Sequence, residues 1–329
     1  MARVFSGIQP SGELHIGNYL GAVRNWVTLQ HQHDCLFCVV DLHAITQSYE
    51  VSSLAQRTIE MAIGLFAVGL DPQRAIVFVQ SHVPEHSELN WLLNTVTPLG
   101  ELERQTQFKD KAQRQESIPA GLLNYPVLQA ADVLLYKAGL VPVGEDQVQH
   151  LELMREIARR WNARFGAGYF PEPQPLLTKS KRVLGLDGRA KMSKSLGNTI
   201  GLFDSPETIW EKLRPAATDP ARKTRKDPGN PDICNIFTIH QGFSPAATQA
   251  EVAHKCRTAG WGCLDCKRVL ADNMIAALTP IRERGEALRR DPPGLIERLR
   301  AGAAKARALA RVTIAEVRER MGFLKPAEP

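Results

Sequence analysis

No apolar stretch in this sequence of 329 residues approaches the roughly 18 to 20 residues a bilayer requires; runs such as Met61 to Leu70 stop far short. A charged, apolar and cleavable leader is also missing, since Met1-Ala2-Arg3-Val4-Phe5 runs straight into a strand pattern. We therefore expect a cytoplasmic protein with no membrane partner. Charge of one sign is lacking too: 41 Lys and Arg face 35 Asp and Glu, for a net charge of +6. The small excess is uneven. Residues 205–329 hold 22 basic and 15 acidic side chains, a balance of +7, whereas residues 1–204 hold 19 and 20, a balance of −1. A basic segment beside a neutral one suits a polyanion such as nucleic acid, and equally an ordinary solvated helical surface.

What is present suffices for a sizeable core, with 43% apolar residues, and the length fits two domains or one large domain with an appendage. Ala2 to Ile8 reads as a buried strand, Pro10-Ser11-Gly12 breaks it, and Ile16 to Gln32 carries apolar residues at helical spacing. Cys35 to Ile45 reads as a second buried strand with a polar end at Asp41 and His43, Leu54 to Val68 as a helix, and Ala75 to Gln80 as a third strand. Strands alternating with helices predict an α/β fold with a parallel sheet, whose ligand lies beyond the carboxyl ends of the strands. Val141 to Gln147 reads as a further strand opening into a helix at Asp146, while Leu270 to Leu288 and Leu295 to Met321 are long helical patterns.

Two stretches carry the first hint of chemistry. His15, Gly17 and Asn18 fall at the start of the first helix, where unpaired N–H groups and the dipole favour an anion and His15 can donate to a phosphate oxygen. Much later, Ala190-Lys191-Met192-Ser193-Lys194-Ser195-Leu196-Gly197-Asn198 places two lysines three apart among small residues. Such a run suits nucleotide phosphates, although alone it equally describes a solvated turn. Between them, Tyr125 to Tyr136 is an apolar helical run interrupted by one acid, Asp132. A carboxylate there needs a partner: an internal ion pair, a helix cap, or a ligand N–H or O–H.

Cysteine is sparse but patterned. Cys35 and Cys38, three apart in a strand, face opposite sides and cannot share a ligand, so both read as core thiols. Cys234, Cys256, Cys263 and Cys266 lie within 33 residues as C-x21-C-x6-C-x2-C. That quartet suits an iron–sulfur cluster, structural zinc or unligated thiols, and a reducing compartment disfavours disulfides. The preceding Thr218 to Pro231 is a basic, Pro-rich loop, either a contact for RNA or a connector.

Taken together and in order, Pro10-Ser11-Gly12-Glu13-Leu14-His15-Ile16-Gly17-Asn18, Tyr125-Pro126-Val127-Leu128-Gln129-Ala130-Ala131-Asp132, Val141-Pro142-Val143-Gly144-Glu145-Asp146-Gln147 and Lys191-Met192-Ser193-Lys194-Ser195 resemble the class I aminoacyl-tRNA synthetases, most closely the bacterial tryptophanyl branch. The resemblance covers nearly the whole chain. It implies a Rossmann-type parallel-sheet catalytic domain over residues 1–204 and a mainly helical domain over 205–329 that reads the anticodon; we expect the last helix to pack back on the catalytic domain. It also implies a homodimer, ATP with Mg²⁺, L-tryptophan and tRNA(Trp) as partners, and formation of tryptophanyl-adenylate followed by transfer to the terminal adenosine 2′-hydroxyl. A tyrosyl enzyme and a non-enzymatic paralogue that binds an amino acid or RNA are the alternatives.

Carried over residue by residue, the resemblance gives His15, Lys191, Lys194 and Lys111 catalytic work on the phosphates. Around ATP it implies Gln9, Pro10, Ser11, Gly17 and Asn18, then Gly144, Glu145, Asp146 and Val183, then Met192, Ser193 and Ser195. Around tryptophan it implies Asp132 as acceptor for the indole N–H, with Tyr125, Gln129 and His43, the strand residues Phe5, Gly7, Val141 and Val143, and Gln147. Gln129 departs from the methionine usual in many bacterial members. The quartet Cys234, Cys256, Cys263 and Cys266 is similar to one that holds a 4Fe-4S cluster in some tryptophanyl enzymes, with zinc as the other reading.

Overall fold

The computed structural model describes residues 1–46, 48–106, 108–109, 117–144, 148–177 and 183–325. Five parallel strands, β1 (Arg3–Ile8), β2 (Asp34–Val39), β3 (Ala75–Val79), β4 (Leu140–Val143) and β5 (Gln174–Leu177), form one sheet in the order β3-β2-β1-β4-β5. The chain winds outward from β1 to β3, then crosses to the other side of β1. That reversal opens a crevice beyond the carboxyl ends of β1 and β4.

Side chains alternate across the sheet as a strand's twofold period requires. Val4, Cys35, Phe37 and Val77 enter one core, while Phe5, Leu36, Cys38 and Phe78 enter the other. Cys35 and Cys38 thus lie on opposite faces. Trp26 stacks on Phe37 at 4.8 Å and fastens the first helical stretch to β2.

Among the described residues, the helices of eight or more residues are α1 (Val51–Ala67), α2 (Glu85–Asn94), α3 (Ala120–Leu134), α4 (Val148–Phe165), α5 (Pro206–Leu213), α6 (Asn235–Phe243), α7 (Ala246–Arg257), α8 (Cys263–Arg290) and α9 (Pro292–Arg320). Local chemistry sets several starts. Ser205 accepts the Thr208 amide ahead of Pro206, and Asp291 accepts the Gly294 amide ahead of Pro292. The last helix returns to the sheet: Gly302 sits so close to β3 that an added Cβ would lie 1.9 Å from the Val77 carbonyl oxygen. Ala303, Ala306 and Ala310 continue that small-residue face into the core beneath Phe78.

Two expectations need correction. The second strand ends at Val39, not Ile45, because Asp41 turns away to accept the Ser81 amide and hydroxyl and begins a short helix, Asp41–Ala44. The first helix is not regular over Ile16 to Gln32; Ile16–Asn18 and Arg24–Leu29 flank a π turn at Tyr19–Val23. Ile209, Ile236 and Leu270, from beyond residue 204, join the same buried cluster as Val4 and Trp26.

Candidate active site

The lysine loop and the opening turn meet. Gly12 has a φ of +104°, and an added Cβ there would stand 2.7 Å from Lys194 Nζ, so the ammonium lies against the turn that follows β1. Met192, 4% exposed, tucks its sulfur toward Gly17, where an added Cβ would approach it to 3.2 Å. Two backbone bonds fasten the segment after the loop to the same turn, Ile16 N–H to Ile200 O at 2.9 Å and Leu202 N–H to Leu14 O at 2.9 Å.

The loop is itself a hairpin held by two asparagines. Leu184 bridges Lys191, and Gly185 N–H donates to Ala190 O at 2.7 Å. Asn198 accepts the Ser193 amide at 2.8 Å and donates to Asp187 at 3.0 Å and to Lys191 O at 3.3 Å. From α6, Asn235 clasps the neck of the hairpin through the backbone of Leu184 and Gly185. Asn198 closes the lysine run already noted in the sequence, whereas Asn235 lies far outside it and escapes the sequence reading.

His15 is the N-cap of the first helical turn. Its Nδ1 accepts the Gly17 amide at 3.1 Å and the Asn18 amide at 3.4 Å, while Asn18 Oδ1 accepts the His15 amide. The backbone N–H groups expected to greet an anion are therefore already bonded. What remains is the imidazole: with Nδ1 accepting, the proton resides on Nε2, which can donate. Burial, reinforced by Lys194 and Lys191, pushes the His15 pKa down to about 4, keeping the ring neutral near pH 7. Burial likewise lowers the Lys194 pKa, against the pull of Glu13, Glu60 and Asp204.

Glu13 and Glu60 are in turn gripped by Arg289 near the end of α8, at 3.4 and 2.7 Å. The C-terminal helices thus reach the edge of the same crevice.

Asp132, 2% exposed on α3, collects three donors. Gln80 Nε2 at 2.6 Å and His86 Nδ1 at 2.7 Å bond to Oδ1, and His43 Nε2 at 2.8 Å to Oδ2. Burial alone raises this carboxyl's pKa, yet the charge and hydrogen bonds of His43 and His86 outweigh it and hold the pKa below the usual range. Tyr136 lies 2.8 Å from His86 Nε2 and stacks on Phe5 at 5.7 Å, and Tyr125 lies 2.7 Å from His150. Gln80, His86 and Tyr136 escape the sequence reading because no motif links them.

Other sequence candidates fall around these groups. Gln9 is half-buried, Pro10 buried and Ser11 exposed at the end of β1, while Val183 is half-buried at the base of the loop. Phe5, Val141 and Val143 are buried in one cluster, Gly7 is exposed backbone within β1, and Gln129 lies half-buried one turn before Asp132. Gly144 is exposed just after β4. Lys111, Glu145, Asp146 and Gln147 lie outside the described residues, and Ser195 is described in its backbone only.

Cys234, Cys256, Cys263 and Cys266 line a single cavity together with Asp219, Arg222 and Trp261. Burial, with the neighbouring thiols, pushes Cys266 up to about 12, and Arg222 approaches Cys263 Sγ at 3.8 Å. Among the described residues, no group of three or more His, Cys, Asp or Glu side chains is gathered as a metal ion would need. No helix among the described residues is long and apolar enough to cross a membrane.

Comparison with known proteins places this geometry. The family described as tRNA synthetases class I (W and Y) matches residues 1–279. A tryptophan–tRNA ligase of Deinococcus radiodurans is 54% identical over 330 residues, covering 99% of this chain and 100% of that protein. One from Parasynechococcus marenigrum is 49% identical, with 98% of each chain covered. The crystal structure of tryptophanyl-tRNA synthetase from Campylobacter jejuni complexed with ADP and tryptophan superposes with a TM-score of 0.87 at 38% identity, covering 98% of this chain and 100% of that one.

Proposed function

This chain belongs to the class I tRNA synthetases for tryptophan and tyrosine and acts as a tryptophan–tRNA ligase, and we propose from that premise how its own residues divide the work. An oxygen of the tryptophan carboxylate attacks the α-phosphorus of Mg·ATP. The bond to the α–β bridging oxygen breaks, pyrophosphate leaves, and tryptophanyl-adenylate remains. The 2′-hydroxyl of the terminal adenosine of tRNA(Trp) then attacks the activated carbonyl carbon and AMP departs.

Such phosphoryl chemistry needs positioning and neutralised charge more than covalent help. The placement of the Lys194 ammonium beside Gly12, next to the neutral His15 N–H donor, carries this reading. Lys194 and Lys191 offset negative charge shifting onto pyrophosphate, and His15 Nε2–H donates to a phosphate oxygen. We assign Lys111 to the same phosphates. ATP lies over Gln9, Pro10, Ser11, Gly17 and Asn18, with Gly144, Glu145 and Asp146 at the ribose. Val183, Met192, Ser193 and Ser195 close the loop side.

Tryptophan occupies the space bounded by Phe5, Gly7, Val141 and Val143, with Tyr125, Gln129, His43 and Gln147 around it and Asp132 accepting the indole N–H. Among the described residues Oδ2 of Asp132 has one protein donor against two at Oδ1, which makes it the freer acceptor. A site built on a buried acceptor discriminates by about 10⁴ to 10⁵ against ligands lacking the donor. Pyrophosphate exchange with tryptophan but not tyrosine is the test. Exchange with tyrosine would favour the tyrosyl reading, and none with either a non-enzymatic one.

The remaining assignments are also proposals. The basic part from residue 205 onward reads the anticodon. A second copy of the chain covers the α2 face where Trp91 is 71% exposed, making a homodimer. The protein works in the cytoplasm, and none of its six cysteines is joined in a disulfide. The four-thiol cavity holds a 4Fe-4S cluster, whose bulk spreads its sulfur ligands further apart than one ion does; Cys234, Cys256, Cys263 and Cys266 would bind it, with Arg222 offsetting its negative charge.

A further inference from the structure

The four cysteines are remote from the lysine loop in sequence, which suggests that they can change without consequence for ATP. The fold removes that separation. Cys234 lines the thiol cavity and caps α6, and its backbone is fixed on both sides: its N–H donates to Pro231 O at 3.2 Å and its carbonyl accepts from Phe237 and Thr238. One peptide bond further on, Asn235 is only 9% exposed. Its Oδ1 accepts the Leu184 amide at 3.1 Å, and its Nδ2 donates to Leu184 O at 3.1 Å and to Gly185 O at 2.9 Å.

These are the residues at the neck of the hairpin. Leu184 bridges Lys191, and Gly185 pairs with Ala190. Adjacent Cα atoms stand about 3.8 Å apart, so the cavity wall and the clamp on the loop move together. Losing the clamp leaves the part-buried backbone of Leu184 and the buried carbonyl of Gly185 unpaired at the neck, and the hairpin shifts to satisfy them with water.

We propose that Asn235 is a positioning residue for adenylate formation, coupling the wall of the four-cysteine cavity to the placement of Lys191 and Lys194. The proposal rests on those lysines being the phosphate ligands. A displacement of about 1 Å at a reacting group costs as much as about a hundredfold in rate, so a modest shift at the neck is felt at ATP.

The test uses the full-length protein and four variants, Asn235→Ala, Asn235→Gln, Cys234→Ser and Lys194→Ala. Pyrophosphate exchange gives KM for ATP and tryptophan separately, and mass spectrometry follows tryptic cleavage after Lys191 without reference to activity. Asn235→Ala should raise KM for ATP or lower kcat by about tenfold or more, leave KM for tryptophan within about twofold, and speed cleavage; Asn235→Gln should recover part of the loss. Cys234→Ser should speed cleavage in the wild-type background and add little to Asn235→Ala. Unchanged ATP kinetics and cleavage in Asn235→Ala, or an equal loss for both substrates with no recovery by Gln, overturns the proposal. Independent, additive effects of Cys234→Ser and Asn235→Ala on cleavage overturn the coupling. Should Lys194→Ala itself exchange normally, the phosphate reading beneath it fails instead.

Discussion

Lys194 lays its ammonium against Gly12, at a turn whose positive φ and lack of a side chain make room for it. Removing the charge should leave tryptophan in place and deprive the leaving pyrophosphate of its partner. Lys194→Ala is expected to slow adenylate formation by about a hundredfold or more while shifting tryptophan affinity less than about threefold. Single-turnover adenylate synthesis alongside equilibrium tryptophan binding checks this. Equal losses in both would reduce the lysine to a structural prop.

Asp132 holds together Gln80, His86 and His43, so its replacement is felt twice. Asp132→Asn keeps the shape but turns an N–H₂ group toward donors, leaving at least one pair mismatched in a dry site. We expect a loss of about 1 to 3 kcal/mol in stability and a fall in selectivity for tryptophan over other aromatic amino acids. Urea unfolding and competitive exchange assays read the two effects apart. Undiminished selectivity would exclude the carboxylate from the indole contact.

His15 supplies a pH dependence whose sign follows from its environment. The folded pKa, near 4, lies below the ordinary imidazole value of 6.5. Between these values the unfolded chain binds the proton and the folded chain does not. Stability is therefore full above about pH 6.5 and falls toward pH 4, by at most about 3 kcal/mol from this residue. His15→Asn, which can still accept an amide but does not titrate, should flatten the acid limb of the urea midpoint. Parallel curves for both proteins would contradict the assignment.

How much of this was legible in the chain depended on whether the signal was local. The first three strands announce themselves as apolar runs, and the two long C-terminal helices as apolar residues at helical spacing. Strand β5 does not: Gln174-Pro175-Leu176-Leu177 is four residues at the sheet edge, partly exposed and containing proline. The turn and loop motifs pointed toward one another because each is a compact run of telling residue types. Gln80, His86 and Tyr136 converge on Asp132 from separate elements, and Asn235 reaches back 51 residues to Leu184, so no spacing betrays them.

Gly302 tests whether the last helix is an integral part of the sheet's packing. A methyl group there would meet the Val77 carbonyl oxygen at 1.9 Å, and that oxygen belongs to a strand that cannot retreat without disturbing its neighbours. Gly302→Ala should cost about 1 to 3 kcal/mol despite better helix propensity, which alone would favour alanine by about 1 kcal/mol. Thermal unfolding decides between the two signs, and a raised melting temperature would mean that α9 is loosely held.

The four-thiol cavity distinguishes its occupant by light. Thiolate bound to iron in a cluster gives a broad visible absorption, whereas zinc, with its filled d shell, gives none. Protein purified without oxygen should therefore be brown, and Cys263→Ser should bleach it. Arg222, whose Nη1 lies 3.8 Å from Cys263 Sγ, offers a finer check, because replacing it by Gln removes a cation beside the thiols and should lower the reduction potential of the proposed cluster. A colourless wild-type protein containing neither iron nor sulfide after anaerobic purification would leave the quartet as buried thiols. The fold around it would then have to stand on the packing of α6 and α8 alone.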